Sequence, residues 1–119
     1  MKIENRIREI WSQTPTLLEY LPLERLSTGI TVCREYPLGV IREKETTWEF
    51  LTNDGFLQEN IAWEMVFLTD SHAWLKTFSE RLISTFLSKD GFQITSREML
   101  CLDNEEWKLV LNGFWKGIK

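Results

Sequence analysis

Eight residues from Ile61 to Leu68 constrain the chain more than any other stretch. Ile61, Trp63, Met65 and Phe67 alternate with Ala62, Glu64, Val66 and Leu68, and a period of two puts the first set on one face of a strand and the second on the other. One face is wholly apolar and the other mostly so, which suits a central strand covered on at least one side. Just beyond it, Asp70 or Ser71 stands where a helix cap belongs, accepting hydrogen bonds from free backbone N–H groups. Trp74, Phe78, Leu82 and Phe86 then recur every four residues, with Leu75 and Ile83 widening the stripe and Lys76, Glu80, Ser84 and Ser88 on the opposite side. That pattern predicts an amphipathic helix to about Lys89, ended by Gly91 as a left-handed cap.

The rest of the chain supplies elements to pack on this strand and helix. Ile3, Ile7, Ile10 and Trp11 have helical spacing, with Glu4, Arg6, Arg8 and Glu9 between them, until Pro15 interrupts. Thr16 to Leu21 reads as another turn or two, stopped by Pro22. Leu23 to Ile30 reads as a connection and Ile30 to about Arg34 as a short strand ending ahead of Pro37. A second strand begins at Leu38 to Glu43 and continues through Thr46 to Leu51, and Asn53-Asp54-Gly55 is a turn signal. Two further strands, Phe92 to Leu102 and Trp107 to Trp115, flank the polar turn Asp103-Asn104-Glu105-Glu106. Trp107, Leu109, Leu111 and Trp115 share one face of the last. The expected architecture is α+β, one mixed or antiparallel β-sheet of four to five strands with two helices packed on one face. With 119 residues and no repeat or linker, a single domain over 1–119 is expected.

Catalytic chemistry is poorly provided for. A nucleophile needs a base within reach and a group to orient it, yet His72 is the only histidine, and its neighbours Asp70 and Ser71 point elsewhere at a helix start. Glu45 and Glu49 at even spacing, with Glu59 and Glu64 nearby, read as strand-surface glutamates rather than a metal or acid–base pair. Every glycine is isolated, so no phosphate loop is indicated. Cys33 and Cys101 have no metal-ligand spacing and are expected to be reduced, packed thiols. No enzyme activity, cofactor or metal is expected. The N-terminus lacks the apolar core of a signal peptide, and no apolar run reaches the ~18 residues of a membrane span. The expected location is the cytosol, with no membrane contact, unless an assembly carries the protein out.

Charge is distributed unevenly. Residues 1–44 and 71–119 each hold seven basic and six acidic side chains, whereas residues 45–70 carry Glu45, Glu49, Asp54, Glu59, Glu64 and Asp70 with no Lys or Arg. Such a segment repels nucleic acid and attracts a basic partner. Six tryptophans suggest base stacking, but Trp48 and Trp63 lie in this acidic stretch, and Trp11, Trp63, Trp74, Trp107 and Trp115 sit on apolar stripes that read as core. Trp48, between Thr47 and Glu49 and ahead of a turn, is the tryptophan left for a partner. Thr46 to Asn60 is expected to form an exposed hairpin arm of low local stability. The candidate protein interface is Glu45, Trp48, Glu49, Phe50, Asp54, Phe56 and Glu59.

The order of elements, together with the leucine-rich turn after the first helix, Tyr36-Pro37-Leu38-Gly39-Val40 leading into a strand, the Thr69-Asp70-Ser71 passage from strand to helix and the closing strand at Trp107 to Trp115, resembles the tail-completion or tail-terminator proteins of long-tailed phages and prophages. The resemblance spans nearly the whole chain. It implies a hexameric ring of copies of the chain stacked on the tail tube, contacting the tail-tube protein below and the head connector above, made in the bacterial cytoplasm and carried in the virion tail. DNA would at most pass through the lumen, unbound, and the stretch from Glu45 to Asp70 would suit its lining. It implies no catalytic residue. A different class reads the same acidic surface as that of a monomeric adaptor or inhibitor, immunity-like or antitoxin-like, holding one basic partner.

Overall fold

The computed structural model describes residues 2–28, 35–50, 55, 57–102 and 105–118. Helix α1 spans Ile3–Ser12 and α2 Pro15–Tyr20, and a 3-10 turn at Leu23–Arg25 leads into the two-residue strand β1, Leu26–Ser27. Strand β2 is Leu38–Phe50, β3 Leu57–Thr69, α3 His72–Leu87, β4 Phe92–Cys101 and β5 Trp107–Ile118. The strands form one mixed sheet in the order β1-β2-β3-β5-β4, with β1 parallel to β2 and all other pairings antiparallel. The α+β architecture is as expected, with α2 as a short third helix. The expected strand at Ile30–Arg34 and the turn residues Asn53, Asp54, Asp103 and Asn104 lie outside the described residues, and β1 occupies part of the stretch expected to be only a connection.

The helices share one face of the sheet. Trp11 of α1 and Phe78 of α3 both lie on Phe67 of β3, with ring centroids 5.9 and 4.9 Å from it. Tyr20 of α2 closes the group against Phe78 and Trp74, at 5.8 and 5.9 Å. The helical stripe expected of α3 is the one observed: Leu75, Phe78, Leu82 and Phe86 are buried, with Trp74 and Ile83 packed against them. Ser71 is the cap, its Oγ accepting from the Trp74 N–H at 3.2 Å. The helix stops at Leu87, and Gly91 takes the left-handed conformation (φ 86°) that turns the chain into β4.

The alternation in β3 sets which residues meet the helices. Ile61, Trp63, Met65 and Phe67 are fully buried, and Ala62, Glu64, Val66 and Leu68 on the other face are half-buried. That second face carries no helix; across it Val40, Val66 and Val110 form one row and Arg42, Glu64 and Asn112 the next, with Arg42 Nε donating to Glu64 Oε1 at 2.7 Å. One row on the helix side organises the whole sheet: Glu43, Trp63, Gly113 and Ile94 lie in register across four strands. Gly113 is required there, because a Cβ would strike the Trp63 indole and the Gln93 carbonyl. Next to this row, β2 has an extra residue at Lys44 and β4 one at Thr95. Paired bulges on the two sides bend and twist the sheet at this row.

Candidate functional site

Beyond the Trp63 row the sheet continues as an arm. Strands β2, β3 and β5 run on together to the Phe50–Leu57 and Gln58–Ile118 pairs, whereas β4 begins opposite Trp115. The described molecule measures 55 × 28 × 24 Å with a radius of gyration of 15.4 Å, against ~13.5 Å for a compact chain of this length. The arm accounts for that elongation in kind: past Ile41, every side chain of β2 is exposed except Thr46, which is half-buried.

The Lys44 bulge decides what the arm presents. Before it, Gly39, Ile41 and Glu43 of β2 lie on the helix side, opposite Phe67, Met65 and Trp63; after it, Thr46, Trp48 and Phe50 do, opposite Ile61, Glu59 and Leu57. The change of parity puts the two aromatic side chains in line with the apolar core face and sends Glu45, Thr47 and Glu49 to the face without helices. Trp48 remains 54% exposed and Phe50 78%. Aromatic side chains of this size bury 150–250 Å² each when covered, so covering the exposed parts of both would contribute roughly 6 kcal/mol of gross transfer energy. In its own chain nothing described covers them.

The candidate interface residues therefore fall into three groups. Glu45, Trp48, Glu49 and Phe50 come together on one exposed strand, the aromatics on one face and the carboxylates on the other. Asp54 and Phe56 lie outside the described residues. Glu59 is a correction: it is only 2% exposed, and its Oε2 accepts from Trp48 Nε1 at 3.2 Å. Its cross-strand position opposite Trp48, between β2 and β5, makes it a buried holder of the indole rather than part of the exposed surface. The pairing register, which a sequence does not print, is the signal that was missing. Likewise Asn60 is buried, so the β3 half of the expected arm is an interior strand and only the β2 half is open.

Other expected sites are placed as follows. His72 is exposed at the start of α3, as expected, and stacks on Trp107 with centroids 4.1 Å apart. Cys101 is free and exposed at the end of edge strand β4, contrary to the expectation of a packed thiol, and Cys33 lies outside the described residues. Among the described residues no three His, Cys, Asp or Glu are grouped as metal ligands, and no helix is long and apolar enough to cross a membrane.

A second concave surface lies on the opposite edge of the sheet. The groove between α3 and β4 holds two adjoining hollows, one of about 350 Å³ lined by His72, Lys76, Ser79, Glu80, Arg97 and Met99, the other of about 590 Å³ with Ile83 and Leu87 in its wall and Glu80 and Arg97 shared with the first. Leu87 is 59% exposed there.

No family model matches the chain, and no curated protein matches it. Among solved structures, a chain of the one described as "Virion of native gene transfer agent (GTA) particle" superposes with a TM-score of 0.70 over 98% of this chain and 96% of that chain, at 7% sequence identity. The two chains share a fold nearly from end to end.

Proposed function

We propose that this chain is a non-enzymatic structural protein of a phage-like particle, and that it completes the tail at the head–tail junction as a ring. The observation that carries the reading is the likeness to a chain of a gene transfer agent virion, matched over 98% of this chain and 96% of that chain. The arm supports it: Trp48 and Phe50, both exposed on one face of a projecting strand, offer the apolar centre that an assembly contact needs. In this reading the partners are other copies of the chain, the tail-tube protein and the head connector, and no cofactor takes part.

The test is sedimentation of the purified protein across a concentration series, alone and with the tail-tube protein encoded in the same genome. A discrete closed oligomer that adds to tubes is the expected outcome. A strict monomer that ignores tubes and instead recovers a single basic protein at equal stoichiometry from its host would overturn the reading in favour of an acidic adaptor or inhibitor.

A further inference from the structure

We infer that the open edge of β2 in one copy pairs antiparallel with β4 of a second copy, so that the sheet continues from subunit to subunit. This pairing rests on the ring reading above and gives that ring its contact. Among the described residues β1 takes only Gly39 and Val40 of β2, and β4 is paired with β5 alone. Through three antiparallel pairings β2 and β4 run in opposite directions. A copy added beside β4 in the same orientation therefore offers its β2 antiparallel, and unlike edges joined in this way make the head-to-tail contact from which rings are built.

The backbone phases of the two edges agree. The Glu43 N–H points out of the sheet, where the Glu4 carboxylate accepts from it at 3.1 Å in the place of a strand. Continued along β3 past the Lys44 bulge, the antiparallel alternation turns Thr46 and Trp48 outward as well. On the other edge, Lys116 N–H donates to the Gly91 carbonyl at 3.0 Å and Leu102 N–H to the Glu106 carbonyl at 2.6 Å, flanking the first and last pairs of β4. Alternation inward from those bonds, with Thr95 and Ser96 sharing one partner, turns the backbone groups of Ile94, Arg97 and Met99 outward. On both edges the outward residues are those with side chains on the helix side, so matching faces also matches donors to acceptors.

The bulges then fix the register. Each edge changes face at its bulge, so the faces agree along the contact only where the two bulges fall side by side, and a slip by one residue sets every side chain against the wrong face. Two registers meet this condition. In one of them Glu98 falls against Val40, whose edge β1 already takes. The other sets Arg97 opposite Glu43 on the helix side and Glu98 opposite Arg42 on the far side, with Lys44 and Glu45 against the uncharged Ser96 and Thr95 and Trp48 beside Phe92. Glu43, Arg97 and Glu98 make no ion pair among the described residues. Opposite charges meet on both faces and like charges nowhere, and it is this fit between the two edges of one chain that points to a second copy as the partner.

Proline tests the contact, because on an edge strand it removes an outward N–H without disturbing the pairing inside the sheet. Thr46→Pro blocks β2 and Arg97→Pro blocks β4, and melting curves check that both variants fold. In sedimentation at high concentration the parent is expected to form a closed oligomer and each variant to stay monomeric. An equimolar mixture of the two is expected to stop at a heterodimer, since each brings one intact edge. A dimer of Thr46→Pro alone, a mixture that stays monomeric, or a parent that stays monomeric with and without tail tubes overturns the pairing. Where a proline unfolds the chain, Glu43→Arg and Arg97→Glu take its place: each is expected to weaken self-association about fivefold and the two in one chain to restore it, and no restoration overturns the register. An Arg97→Pro variant that forms rings on tail tubes as the parent does would refute this contact and leave the assembly reading standing. A ring held by this pairing that binds no tail component would do the reverse.

Discussion

Trp11 and Trp63 are both fully buried, but their indole N–H groups are treated differently. Trp11 Nε1 donates to the Leu21 carbonyl at 3.0 Å, while Trp63 Nε1 has no hydrogen-bond partner among the described residues. Replacing either with Phe leaves a similar void, but only at position 11 is a carbonyl stranded, so Trp11→Phe is expected to cost about 1–2 kcal/mol more than Trp63→Phe in urea denaturation. Equal costs would mean that the Leu21 bond contributes nothing. Larger truncations at the same core, Trp63→Ala and Phe78→Ala, are each expected to cost ~3–5 kcal/mol, because both rings are enclosed on every side; melting temperatures within a degree or two of the parent would contradict that. The aromatic core was legible because Trp and Phe fell on stripes of fixed period. The burial of Glu59 was not, since its cause is a neighbour across the sheet eleven residues earlier, and period alone carries no register.

At the scale of elements, the Ile61–Leu68 part of β3 and nearly all of α3 were readable, because eight alternating residues and a four-residue stripe leave little choice of structure, whereas Leu57–Asn60, which begin β3, read as part of an exposed hairpin. Strand β1 was missed because two residues have no period to detect. The bulge at Lys44 left a trace, as the strand read in two pieces, Leu38 to Glu43 and Thr46 to Leu51, with the interruption where the extra residue sits. The two halves of the arm should behave differently in hydrogen exchange. β3 from Leu57 to Asn60 is paired on both sides, with β2 and β5, whereas β2 from Glu45 to Phe50 is paired with β3 alone among the described residues. Amides of Leu57 to Asn60 are expected to exchange slowly and those of β2 that point away from β3 quickly. Equal protection throughout would mean that β2 is covered in solution, as an assembled arm would be, and dilution would then distinguish the two.

For the molecule as a whole, the helix layer and the arm divide the tasks of folding and association. The hydrophobic core contains neither Trp48 nor Phe50, so Trp48→Ser with Phe50→Ser is expected to cost no more than about 3 kcal/mol, that of taking the Trp48 donor from the buried Glu59 carboxylate, while weakening self-association at least about tenfold, as read by sedimentation. Loss of the fold in that double variant would show that the arm is part of the core after all. The functional surface was harder to read than the fold because the aromatic residues that mark it are chemically the same as those that fill the interior; Trp48 was separable only by its polar neighbours, and the groove on the far edge left no pattern in the sequence.

The change of parity at Lys44 also governs how the arm can vary in length. Removing or adding one residue on β2 beyond the bulge exchanges the aromatic and carboxylate faces, whereas a change of two residues on each strand leaves every facing as it was. The arm is therefore a ruler graduated in pairs: it can reach a nearer or farther neighbour without altering what it presents, and single-residue steps are closed to it unless a second bulge restores the phase.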